Sequence, residues 1–269
     1  MLYVCSRKKM YIDSHTHLYL DAFKEDRDQM IQRALDAKVY HMLLPNIDST
    51  SMDAMFSLAE QYPNHCFPMM GLHPTSVKEN YMEELAVVEA GLQRSDIIAV
   101  GETGIDLYWD KSHLKEQEEA FSTQIGWAME LDLPLVIHAR DSFPEIFRVL
   151  DRTGGPKLRG VFHSFTGGLD ELERALSYNF LIGINGIVTF KNSNLGEVVR
   201  AIPTKRLLLE TDAPFLAPVP YRGKRNESSY LVNIASKVAE IHNLSLEEVA
   251  RISSTNAEHL FRLKPLNEI

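Results

Sequence analysis

Two cysteines in 269 residues, Cys5 and Cys66, leave no basis for a disulfide framework or a thiolate zinc cluster. Such sparing use fits a reducing compartment, and a cytoplasmic protein is expected. No run of roughly 18 apolar residues occurs, so the sequence offers no membrane-spanning helix. The opening MLYVCSRKKM has basic residues without a long apolar segment behind them, which does not read as a secretory signal. Residues 1–10 are expected to be a short leader ahead of one domain over residues 11–269, with Met10 standing where a strand begins. Positive charge is scarce as well: 28 Lys and Arg face 37 Asp and Glu, a formal charge of −9. That balance argues against a surface that grips nucleic acid everywhere. It leaves a nuclease open, because divalent cations and a local basic cluster such as YRGKR supply positive charge where it is needed. Pro/Ser-rich linkers, internal repeats and low-complexity tracts are missing too, so nothing divides the chain, and no obligate protein partner is indicated.

What is present is an alternation. Eight short apolar or β-branched runs read as strands: residues 11–15, 41–47, 66–73, 96–102, 134–139, 159–164, 180–186 and 206–211. Between them lie segments of helical period, such as DRDQMIQRALDAK with Met30, Ile31, Ala34 and Leu35 on one face. A last helix opens at Ser245 with Glu248 three residues on, the pattern of a capping box. Near-continuous apolar strands separated by helices imply a parallel sheet buried on both faces. Eight such units predict a single-domain α/β fold, a (β/α)₈ TIM barrel whose active site lies at the C-terminal ends of its strands. A doubly wound open sheet is the competing arrangement.

Six of the eight strands end in or beside a residue that binds metals. These are His15 and His17 after the first, His73 after the third, Glu102 after the fourth, His138 on the fifth, His163 on the sixth and Asp212 past the eighth. Side chains alternate along a strand, so His15 and His17 point one way and Thr16 the other. A lone histidine on an apolar strand is more often structural, and H-x-H is a short pattern. Recurrence of candidates at one end of several strands weakens that plain alternative. Glu102 on a buried strand needs a cation or an arginine partner. A carboxylate there can bridge two metals about 3.5–4 Å apart. Asp212, before Ala213-Pro214, suits a helix cap, a ligand or a proton acceptor. Arg140 stands two residues after His138 and so shares its face.

In order along the chain, DSHTHL, GLHP, GETGID, HAR followed by Asp141, FHSFTGG, LLETDAP and RGKRNE resemble the TatD family of metal-dependent deoxyribonucleases, within the amidohydrolase-like barrel superfamily. The likeness runs from about Tyr11 to Leu263. It implies two divalent ions (zinc, magnesium, manganese or nickel), one on His15, His17 and Asp212, the other on His138 and His163, with Glu102 bridging. It further implies that His73 and Asp106 lie near the substrate phosphate or behind the ligands. Arg222, Lys224 and Arg225 would form a basic lip, followed by Asn226 and Glu227. Two departures stand out: Ser164 where the family often has cysteine, and Ser228 where it often has proline.

The expected activity is metal-dependent hydrolysis of DNA phosphodiesters. Water activated at the ion pair attacks phosphorus, with Asp212, Glu102 and Arg140 in the catalytic machinery. The resemblance implies 3′ to 5′ exonuclease action on single strands. An amidohydrolase acting on a small amide, lactone or cyclic imide is the alternative, since the same barrel serves that chemistry. The basic lip, of little use to a small neutral substrate, tilts the reading to DNA. A non-catalytic protein with a structural ion is the third class, disfavoured because such an ion needs only a closed four-ligand site.

Overall fold

The computed structural model describes residues 9–266. Eight strands and nine helices follow one another along them: β1 (Tyr11–Asp13), α1 (Arg27–Asp36), β2 (Val39–Pro45), α2 (Ser49–Gln61), β3 (Cys66–Met69), α3 (Tyr81–Gly91), β4 (Val100–Asp106), α4 (Leu114–Glu130), β5 (Leu135–Arg140), α5 (Phe143–Thr153), β6 (Gly160–Phe162), α6 (Leu169–Ser177), β7 (Phe180–Ile184), α7 (Leu195–Ala201), β8 (Leu207–Leu209), α8 (Leu231–His242) and α9 (Leu246–Phe261). All strand pairs are parallel. The β1–β2–β3 and β4–β8 ladders are joined at one seam by the Met70–Val100 bridge and at the other by the Ser14 N–H donating to Leu209 O at 3.1 Å. The sheet therefore closes, and the result is the (β/α)₈ barrel expected from the alternation, formed as a single domain. The leader expected at residues 1–10 falls almost wholly outside the described residues. Of its last two, Lys9 pairs with Glu247 and the Met10 carbonyl accepts from Ser254 Oγ.

Side-chain alternation divides the core in two. Inside the lower barrel, Ile12, Leu43, Met69, Ala99, Val136, Val161, Leu181 and Leu208 form one layer, a residue from each strand or its edge. Leu260, Phe261, Leu263 and Leu266, at and beyond the end of α9, pack against that layer and close the barrel's N-terminal end. The larger core lies outside the strands, where Phe121, Phe162 and Phe180 meet the helices. With one end plugged, the site can open only at the other. The α9 start is the predicted capping box: Ser245 Oγ accepts from the Glu248 N–H, and Glu248 accepts from the Ser245 N–H.

The strand bounds shift by a few residues from the reading of the sequence, and three of the shifts bear on the site. β3 ends at Met69, so His73 stands in the loop beyond it, at the start of a short 3₁₀ turn over Pro74–Ser76. β1 ends at Asp13, and the chain bends at Ser14 and His15 but stays tied to its neighbours, with Thr16 N–H on Leu43 O (3.0 Å) and His17 N–H on Ala213 O (2.7 Å). β4 occupies residues 100–106 rather than 96–102. Its pairing residues are the polar and small ones of GETGID, Thr103 opposite Ile137 and Gly104 opposite His138.

Candidate metal centre

Glu102, Gly104 and Asp106 point to one side of β4, and His138 on β5 lies opposite the glycine. A Cβ on Gly104 would come within 2.1 Å of the His138 carbonyl oxygen, and its φ of +140° is one that L side chains rarely adopt. Glycine thus lets the two strands close up. Across that gap the His138 ring meets both flanking carboxylates, Nδ1 at 2.9 Å from Glu102 Oε1 and Nε2 at 2.9 Å from Asp106 Oδ2.

Around Glu102 the other candidates gather. Its Oε2 is 3.1 Å from His15 Nε2 and 3.6 Å from His17 Nε2, while its Oε1 is 3.4 Å from His73 Nε2 and 3.6 Å from His163 Nε2. Asp212 Oδ1 is 3.6 Å from His17 Nε2 and 3.9 Å from both His15 and His163 Nε2. Donor atoms of His15, His17 and Asp212 lie within 4.8 Å of one another, as do those of His15, Glu102 and His163, and those of His73, Glu102 and His138. Thr16 turns away, its hydroxyl 3.5 Å from Ser228 Oγ.

Neighbouring groups set which nitrogen of each ring carries the proton. Tyr19 donates its hydroxyl to Pro45 O at 2.5 Å, so His17 Nδ1–H donates to the Tyr19 oxygen at 2.9 Å and Nε2 keeps its lone pair. Glu210 Oε1 lies 3.0 Å from His163 Nδ1, so a carboxylate backs that ring. His73 is opposite in kind. Its Nδ1 accepts the Thr75 N–H at 3.1 Å, which leaves Nε2 as an N–H donor aimed at Glu102.

The residues fit divalent cations. The set is imidazole and carboxylate, the donors that suit first-row metals. Burial pushes His15 down to about 4, so it is uncharged at neutral pH. Burial alone would raise Glu102, but His73, His15 and His163, with the hydrogen bond from His138, outweigh it and hold the carboxyl well below its usual range. Burial would lower His163, yet Glu210 and Glu102 push it up to about 10, the mark of a cluster short of positive charge. No lysine or arginine reaches these carboxylates among the described residues.

Glu210 was not anticipated. It is fully buried at the end of β8, where Gly183 of β7 leaves room for it: a Cβ there would lie 2.3 Å from Glu210 Oε2. The signal was a glutamate closing the apolar run LLLE, a position that demands a partner. Asp13 was missed in the same way. It accepts from the Thr211 N–H, Thr211 Oγ1 and Ser228 Oγ at 2.6–2.8 Å, tying β1 to the segment that carries Asp212. Ser228 therefore has a hydrogen-bonding use that proline would lack, and the Ser164 N–H donates to Glu210 at 2.5 Å.

The basic residues separate. Arg140 is exposed, its Cζ 3.8 Å above the Tyr108 ring, and Arg222 sits 4.5 Å over Phe190. Neither these two nor Lys224 makes an ion pair among the described residues. Arg225 does not stand free with them. It grips Asp26 through two bonds of 2.6 and 2.8 Å and the Ala22 carbonyl through a third.

Comparisons with known proteins agree with this architecture. The TatD related DNase family matches residues 12–262. An uncharacterized metal-dependent hydrolase of Bacillus subtilis, YabD, is 36% identical over 94% of this chain and all of its own length. The 3′-5′ ssDNA/RNA exonuclease TatD of Pantoea vagans is 36% identical over 93% of this chain and 99% of its own. The crystal structure of YJJV, a TatD homologue from Escherichia coli, superposes with a TM-score of 0.89 at 28% identity, covering 94% of this chain and 98% of that one. The chain belongs to the TatD-related DNase family and is a metal-dependent hydrolase of the TatD type.

Proposed function

We propose that the protein is an exonuclease that removes nucleotides from the 3′ end of single-stranded DNA. The observation that carries this reading is the division of labour on Glu102. One oxygen addresses His15 and His17, the other His138, His163 and His73. A carboxylate so placed suits two cations, with His15, His17 and Asp212 holding one, His138 and His163 the other, and Glu102 both. Two divalent ions, when bound, would lower the pKa of water and neutralise charge on a phosphodiester. Zinc, magnesium, manganese and nickel all accept such ligands.

The chain's own groups do the rest. Asp212, whose side chain is more open than that of Glu102, takes the proton of the attacking water. His73 keeps its Nε2–H on Glu102 and stands beside the phosphate, and Arg140 clamps a non-bridging oxygen with its fork. Asp106 holds His138 and is a positioning residue. Support also comes from the exonuclease relative, whose named substrates are single-stranded DNA and RNA.

Purified protein incubated with labelled single-stranded DNA and Mg²⁺ or Mn²⁺ should release mononucleotides, a 3′ label before a 5′ label. Chelation should stop the release and added metal restore it. Failure to cut DNA with any divalent ion removes the reading.

Arg222 and Lys224 are the lip residues we assign to the DNA backbone. Each phosphate contact on a single strand contributes about 0.7 to the salt slope of log K. Replacing both with alanine should therefore flatten the slope by about 1.4. Arg225→Ala should leave the slope unchanged and lower the thermal midpoint instead, because its partners are Asp26 and Ala22 O. A slope that responds to Arg225 and ignores Arg222 and Lys224 would reverse the assignment.

A further inference from the structure

The barrel mouth carries aromatic surface that the metal centre does not use. Tyr108 and Trp109 stand two and three residues past the last residue of β4 and are 54% and 70% exposed, Trp109 more than any other large apolar side chain described. Rings of this size are normally covered, and an uncovered one beside a site marks a place where something lands.

The corner is built rather than loose. Asp106 Oδ1 accepts the backbone N–H of Tyr108 at 3.0 Å and of Trp109 at 3.3 Å, while its Oδ2 faces His138 Nε2. One carboxylate thus fixes both the aromatic turn and a residue of the metal centre. Tyr108 and Trp109 meet edge to face, with centroids 4.9 Å apart, and the Arg140 guanidinium lies over both, 3.8 Å from the Tyr108 centroid and 5.4 Å from that of Trp109. A cation with no carboxylate partner among the described residues and an open indole, side by side, match the two parts of a nucleotide: Arg140 takes the phosphate and Trp109 the base.

We propose that Trp109, backed by Tyr108, is a stacking platform for an unpaired nucleobase of the strand whose phosphate rests at Arg140. The proposal rests on the nuclease reading and adds the source of strand selectivity. A paired base inside a duplex has both faces covered by its neighbours, so away from a duplex end only an unpaired base can lie on the indole. Stacking accepts any base, because every base has a π-face, and the platform therefore selects single strands without selecting sequence.

The test compares a short single strand with the same strand made abasic at its 3′-terminal nucleotides, which keeps every phosphate. Wild-type protein should show a KM about tenfold lower for the base-bearing strand, the order of one stacked base. Trp109→Ala should bring the two KM values together, and Trp109→Phe should keep most of the difference. Circular dichroism and metal content check that each variant is folded and loaded. If wild-type protein cuts both strands with equal KM, or if Trp109→Ala keeps the preference, the platform is refuted while the nuclease reading stands. If neither strand is cut with any divalent ion, the nuclease reading falls and the platform with it.

Discussion

Glu102→Ala should bind at least one divalent ion fewer per chain than the wild type and lose hydrolysis by about 10²–10³-fold or more, the range for removing one preorganised electrostatic group. Both oxygens of this carboxylate are committed, Oε2 to His15 and His17 and Oε1 to His73, His138 and His163, so no single neighbour can replace it. Asp212 Oδ1 is 3.6 Å from His17 and 3.9 Å from His15 and His163, but it pairs with neither His73 nor His138 among the described residues. Groups that only support a ligand change metal affinity 10–100-fold, and a bridging ligand should exceed that. The metal-free variant should also be less stable, because removing one partner from a buried charge cluster costs about 3–5 kcal/mol. Glu102→Gln separates the effects: its shape is the same and its charge is gone, so it should fold better than the alanine variant and still lose metal. Metal analysis by mass spectrometry, calorimetric titration and thermal melts read all three. Unchanged stoichiometry in Glu102→Ala would take Glu102 out of the coordination sphere.

Much of this site was legible from residue type and place in the chain. His15, His17, His138, His163 and Asp212 each follow or close an apolar run, and parallel strands in a barrel bring all such ends to one rim. The position of β4 was not legible. DIIAV draws the strand toward itself because it is apolar, whereas the small and polar residues after Glu102 carry no such signal. The order is inverted in the structure because the upper half of a barrel strand faces the site rather than the hydrophobic layer, so its residues are chosen for chemistry. Glu210 escaped for the opposite reason: it is fully buried and reaches the metal centre through its contact with His163. The basic lip could not be resolved by composition either. Arg222, Lys224 and Arg225 are equivalent as letters, and Asp26, some two hundred positions away, decides that Arg225 belongs to the frame.

Gly104→Ala should be among the most damaging single-methyl changes in the chain. Two penalties combine. A non-glycine residue in a sparsely populated backbone region costs about 1–3 kcal/mol, and forcing a methyl into a packed contact adds about 1–3 kcal/mol more. The sum, roughly 2–6 kcal/mol, corresponds to a fall in thermal midpoint of roughly 5–20 °C for a domain of this size. The clash is with the His138 backbone, 2.1 Å from the added carbon, so relief requires β4 and β5 to separate. Separation draws Glu102 and Asp106 away from the ring that joins them, and a displacement of about 1 Å at such a site lowers the rate by about 10²-fold. Stability and activity should therefore fall together. Gly126 in α4 supplies the control: a Cβ there meets nothing within 4 Å, and Gly126→Ala should stabilise the helix by about 0.5–1 kcal/mol with activity unchanged. Equal melting temperatures for Gly104→Ala and the wild type would mean that the close approach of β4 to β5 is not what holds Glu102 and His138 together.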